Sequence, residues 1–169
     1  MRQEGKGAYD TCLEVLQQLG EVVPASVERK QFIESVEKIQ AQFDGMTDTE
    51  LLNMKKMNSP FHNSLMQFYN QVCFISYFVN PQMLKWFACR IVELSLQHGV
   101  SKYSALGMMR YSMVLGGKLL NNVAGAHRLG KMSLKLLERF DGTDLLPSMV
   151  RFDKLVPSAK LNGCIGCHF

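Results

Sequence analysis

The residues whose types and spacing most suggest chemistry stand near the C-terminal end, where Cys164-Ile165-Gly166-Cys167-His168 fits the pattern C-x-x-C-H. Two thiols at that spacing can form thioethers to haem vinyl groups while the adjacent imidazole ligates the iron. Cys164, Cys167 and His168 are also candidate zinc ligands, but a closed structural site needs a fourth ligand and usually a second chelating pair. Against haem, the opening residues Met1 to Gly7 lead into no apolar export segment, no packed element is predicted around the last six residues, and no second axial ligand stands nearby. The pair therefore reads as a fortuitous, redox-reactive one, no cofactor is expected, and a small haem- or zinc-binding protein is the alternative function.

Other constellations are weaker. Gly116-Gly117-Lys118 matches the end of a phosphate loop, yet Ser112 stands where the loop needs its first Gly, and Leu119 replaces the Ser or Thr that would reach magnesium. His62, His98 and His127 fall on different predicted helices with no Ser or Cys arranged beside them as a nucleophile, and read as helix-end or surface residues. Trp86 reads as a helix-contact residue. Arg128, Lys131, Lys135 and Arg139 follow increments of three, four and four, which aligns four cations on one helix face with Glu138 as the neighbouring acid. Such a row is by default a solvated face; its other use is to dock an acidic surface of a partner protein or neighbouring domain. No catalytic residue is assigned, and enzyme activity, ATP hydrolysis included, is not expected.

The elements that must position these residues are helices almost throughout. A first helix carries Cys12, Val15, Leu16 and Leu19 on one face and stops at Gly20; Pro24 and Ser26 open a second, with Phe32, Val36, Ile39 and Phe43 at helical spacing. Lys30, Glu34 and Lys38 lie on its other, charged side. Thr47-Asp48-Thr49-Glu50 is a capping box that starts a short helix through Lys55. Ser59-Pro60 and Asn80-Pro81 each place a capping side chain before a proline and start two more helices. The second of these carries Leu84, Ala88, Ile91 and Ser95 along one stripe and ends at His98-Gly99. Ser101 caps a sixth helix that runs to Gly116-Gly117, and Asn121 or Asn122 caps a seventh that ends at Phe140-Asp141-Gly142. No stretch alternates with period two, so no sheet is expected. Gly107, Gly116, Gly125 and Gly130 cost helix propensity, and close helix approach is the expected compensation. Starts spaced by about twenty residues give units of roughly forty, the size of helical-hairpin repeats.

Asn80-Pro81-Gln82-Met83-Leu84, the run Arg90 to Ser101 and the run Gly125 to Arg139 together resemble a helical segment found downstream of the ATPase domain in large AAA-type ATPase signalling proteins. These often also carry protein-kinase, GAF or histidine-kinase domains. Cys12 to Glu21 and Thr47 to Met57 share the likeness, which covers roughly residues 8 to 146 and fades after Pro147. The resemblance implies a helical scaffold whose motifs are packing signatures and supplies no catalytic residue. It also implies that the chain begins and ends inside a longer architecture.

Composition fits this reading. The 169 residues are 47% apolar and 20% charged, an ordinary globular balance, with 11 Met and 10 Phe to fill gaps between helices. A formal charge of +4 falls well short of a dedicated nucleic-acid footprint. The longest apolar stretch, Val72 to Val79, contains Ser76 and is far shorter than the roughly 20 residues of a membrane span. Five cysteines is an odd count, and Cys12, Cys73 and Cys89 are scattered singly in apolar patterns, which points to a reducing compartment, the cytoplasm. The expectation is an all-α chain of antiparallel helical hairpins stacked as a short tetratricopeptide-like α-solenoid over residues 1–146, with an irregular tail over 147–169. Its expected function is a non-catalytic interaction segment for a protein partner or neighbouring domain. Its exposed apolar ends favour self-association.

Overall fold

The computed structural model describes residues 2–142 and 145. Among them are seven helices and no strand: α1 (Arg2–Gln18), α2 (Arg29–Asp44), α3 (Asp48–Leu52), α4 (Pro60–Val79), α5 (Pro81–His98), α6 (Lys102–Gly116) and α7 (Val123–Arg139). Of the capping side chains read from sequence, those of Thr47, Ser59 and Asn122 bond their helix starts, while Asn80 and Ser101 stand at the N-cap positions of α5 and α6 without a side-chain cap bond. Glu50 N–H donates to the Thr47 hydroxyl while the Glu50 carboxylate accepts from Thr47 N–H, closing the capping box. Ser59 Oγ accepts from His62 N–H and Asn122 Oδ1 from Gly125 N–H. At α6 the Ser104 hydroxyl accepts from Ser101 N–H at 2.9 Å.

Two boundaries differ from expectation. α2 begins at Arg29 rather than near Pro24, because residues 21–28 are stretched between two cores: Val23 packs on one and Val27 on both. α3 stops at Leu52 rather than Lys55, because the following residues are drawn into a short parallel bridge with Val100. Val100 N–H donates to Lys55 O at 2.8 Å, and Met57 N–H donates to Val100 O at 2.9 Å. Gly99 makes room for that bridge. Its φ of 101° is in the left-handed region, and a Cβ there would lie 2.6 Å from Lys55 O.

From α4 onward each helix packs antiparallel on the next. Met57, just before α4, meets Val100 just after α5; Ser95 Oγ lies 2.8 Å from Ser104 Oγ; and Gly116 faces Ala126. α1 lies antiparallel along α4, with Gly5 against Val79, while α2 packs on α5. α1 and α2 do not pair along their lengths, so the N-terminal part departs from a simple succession of hairpins.

α5 explains the arrangement. Met83, Phe87, Ile91 and Leu94 join a core with Tyr9, Leu16, Leu65, Met66 and Tyr69, contributed by α1 and α4. Cys89 and Val92, on the opposite side of the helical period, join a second core with the whole predicted face of α2 and with α6 and α7. The stripe read from sequence is only part of this, because a helix between two layers is apolar nearly all round. In α1, by contrast, only Leu16 of the predicted face is fully buried, and Leu19 is exposed.

Gly107 sets the α5–α6 spacing. A Cβ there would overlap the Ile91 side chain, coming within 2.9 Å of its Cβ, which no χ1 change can move, and Ile91 is fully buried and β-branched. Replacing Gly by Ala inside a helix ordinarily gains about 1 kcal/mol of propensity. Here Gly107→Ala is expected to destabilise by roughly 1–3 kcal/mol, because overpacking outweighs that gain. Urea denaturation measures this; a stabilised variant would show that the helices are free to move apart.

Candidate functional site

The cationic row on α7 is divided by its hydrogen bonds. Arg128 turns inward: Nε donates to Asp48 Oδ1 at 2.7 Å, and its two terminal nitrogens donate to the carbonyls of Phe43 and Met46. One guanidinium thereby closes the C-terminal end of α2 and holds the first turn of α3. Arg139 does the same farther along, donating from one nitrogen to Leu52 O at 2.6 Å and Met54 O at 2.9 Å. The two arginines of the row thus bond this chain's own turns, Arg128 half-buried and Arg139 exposed, while Lys131 and Lys135 lie exposed between them.

The densest polar cluster was not read from sequence. Glu21, in the α1–α2 connection, accepts from Arg90 Nε at 2.8 Å and a terminal Arg90 nitrogen at 3.0 Å, and from Tyr69 Oη at 2.6 Å. Glu93 accepts from the remaining Arg90 nitrogen at 3.2 Å. Burial raises the Glu21 pKa, but the Arg90 and Tyr69 hydrogen bonds outweigh it and leave the carboxyl below its ordinary value. No periodicity rule pairs residues 21, 69 and 90.

His62 and His98 come together across the α4–α5 pair, ring centroids 3.7 Å apart and nearly parallel. Sequence reading placed them apart, with no serine beside them. In fact Ser59 Oγ lies 2.9 Å from His62 Nδ1, because the α4 cap puts them one helical turn apart. That hydroxyl already accepts from the backbone as the cap, so the pair completes a helix end. Burial, then the neighbouring His62, Lys55 and Arg90, lower the His98 pKa, with Glu21 opposing weakly. His127 is exposed on α7.

The remaining candidates fall as follows. Trp86 is half-buried, with its ring edge-on to that of its α5 neighbour Phe87. Gly117 and Lys118 lie at the C-terminal end of α6, the wrong pole for a phosphate. Burial pushes the Cys73 thiol up to about 11 and raises Cys89 as well, so both are protonated thiols rather than nucleophiles. Cys164, Cys167 and His168 lie outside the described residues. Among the described residues no group of three or more His, Cys, Asp or Glu is placed to hold a metal ion, and no helix is long and apolar enough to cross a membrane.

The surface feature that stands out is α4. Its 20 residues contain no Asp, Glu, Lys or Arg, and its outward stripe runs Ser64, Gln67, Gln71, Phe74, Phe78. Phe74 is 52% and Phe78 65% exposed, their rings edge-to-face at 5.3 Å, with Tyr77 stacked edge-on to Phe78.

Arg128→Ala is expected to cost about 1.5–3 kcal/mol and to speed hydrogen exchange in the α2–α3 turn, whereas Lys131→Ala and Lys135→Ala stay within about 0.5 kcal/mol. Equal effects from all three substitutions, read by urea denaturation, would contradict the division of the row. Stability is also expected to fall with acid in two windows. His98, with its folded pKa below the ordinary 6.5, binds fewer protons folded than unfolded, so stability drops as pH falls from about 6.5. Glu21, below the ordinary 4.5, adds a second loss as pH falls through its lowered folded value. Urea midpoints across pH should lose the upper step in His98→Gln and the lower one in Glu21→Gln; a flat profile from pH 7 to 3 would refute both. Comparison with family models, curated proteins and solved structures returns no match for this chain.

Proposed function

We propose that the chain is a non-catalytic helical scaffold, an interaction segment of a large ATPase-containing signal-transduction protein, built as a short tetratricopeptide-like α-solenoid. The resemblance of Asn80 to Leu84, Arg90 to Ser101 and Gly125 to Arg139 supplies the context. The antiparallel succession from α4 to α7 supports the repeat reading, with α1 and α2 as a divergent N-terminal element.

The uncharged outer face of α4 carries the interaction reading. A surface helix normally mixes charges of both signs, which keep chains apart. Here a 20-residue helix offers amides and the exposed phenyl rings of Phe61, Phe74 and Phe78, the last two adjacent on one stripe. That chemistry matches another uncharged apolar helix face, in the parent protein a neighbouring domain and in the isolated chain a second copy. Two copies related by a two-fold axis would set Phe74 and Phe78 against the same residues of the other. The exposed apolar residue at the end of α1, Leu19, is a smaller feature beside it.

Light scattering after size exclusion, across a concentration series, tests this. The expected result is a mass that rises with concentration, and a shift of at least about tenfold toward weaker association, roughly 1.4 kcal/mol, in Phe74→Ser/Phe78→Ser. Because both side chains point outward, the variant should keep its helical circular dichroism and thermal midpoint. A wild-type chain that stays monomeric at every concentration and binds no hydrophobic dye would remove the support for this reading.

A further inference from the structure

We propose that the cavity bounded by α2, α5 and the α1–α2 connection is a binding site for a small organic cation, an ammonium group carried on an aromatic or alicyclic body. The cavity measures about 270 Å³. An apolar cavity of about 150 Å³ already accepts benzene, so this one takes a single ring with a short side arm. Trp86, Phe32, Val27 and Pro24 form apolar walls, and Arg90 and Glu93 enter from α5. Apolar walls with a few converging polar groups are the usual make-up of small-molecule sites.

The sign of the ligand follows from how those polar groups are spent. Arg90 is committed to Glu21 through two hydrogen bonds and gives its remaining nitrogen to Glu93, so it presents no open fork to an anion. Glu93 takes only a 3.2 Å bond from Arg90 and is 30% exposed, and a carboxylate has room for further donors. In this cluster two carboxylates face one guanidinium. The Lys85 ammonium lies 5.0 Å from the centroid of the Phe32 ring and outside the lining, which offsets the field at that end and leaves the negative pole at Glu93. The ligand's ammonium therefore pairs with Glu93 while its ring lies between Trp86 and Val27.

Trp86 is the single tryptophan of the chain and forms part of the wall, so its fluorescence reports occupancy directly. Three probes share one ring and differ in charge: phenethylamine, phenethyl alcohol and phenylacetate. The expected result at neutral pH is a saturable change with phenethylamine, binding about tenfold weaker for the alcohol, and weakest for phenylacetate. In Glu93→Gln the amine should fall to the level of the alcohol, with the alcohol unchanged and the thermal midpoint preserved. The wild-type affinity order alone decides the matter if that variant unfolds. Phenylacetate binding as tightly as the amine, no saturable change with any probe, or a folded Glu93→Gln that keeps its preference for the amine would each overturn the proposal.

Discussion

One helix serves two cores, and the rest of the chain is arranged around that constraint. α5 presents Met83, Phe87, Ile91 and Leu94 to α1 and α4, and Cys89 and Val92 to α2, α6 and α7. A helix in that position cannot keep a wide polar face, so its few polar side chains must be satisfied locally. Ser95 donates to Ile91 O at 2.7 Å and lies against Ser104; Arg90 and Glu93 occupy the one edge that reaches solvent. The α5–α6 approach then requires a residue without a side chain at Gly107, and the α5–α6 turn requires one at Gly99. The cost in helix propensity is offset by burial on two sides.

Arginines hold the segments that are not helical. The connection before α2 is fastened by Arg90 through Glu21, the turn after α2 by Arg128, and the exit from α3 by Arg139. A planar guanidinium can reach two carbonyls, or both oxygens of a carboxylate, at once; a lysine ammonium at the same place would hold one or lose the geometry. This separates the residues of the α7 row by side-chain type rather than by position. The arginines close turns, and Lys131 and Lys135 remain in solvent.

What was legible in the sequence follows from the range of each interaction. Caps and periodic faces are local, and the buried set of α2, Phe32, Val36, Ile39 and Phe43, matches the face read from spacing. The starts of α4, α5, α6 and α7 fall where Ser59-Pro60, Asn80-Pro81, Ser101 and Asn122 place them, although only Ser59 and Asn122 cap through their side chains. The pairing of α1 with α4 rather than α2 is a non-local choice, made by Tyr9 and Leu16 against α4 and by Glu21 against Arg90, and no rule of spacing contains it. The same holds for the stacked His62 and His98 and for the inward turn of Arg128, whose partners lie 80 or more residues away. The pattern of cations on α7 was visible; their targets were not.

The run Leu94 to Ser101, which carries much of the family likeness, now has a structural task at nearly every position. Leu94 is core, Ser95 bonds across to α6, His98 stacks on His62, Gly99 adopts a conformation closed to other residues, Val100 forms the bridge to residues 55–57, and Ser101 stands at the N-cap position of α6. A motif most of whose residues serve a turn and two interfaces specifies how helices meet. Function must then be sought where the fold does not dictate the residue. The outer stripe of α4 and the edge of α5 at Glu93 are such places: packing does not require Phe74 or Phe78 to be aromatic, nor Glu93 to be charged, and their side chains are half or more exposed in the first case and partly so in the second. Phe74 and Phe78 pack edge-to-face on one another yet stay half or more exposed on a helix without Asp, Glu, Lys or Arg, an arrangement that costs solubility.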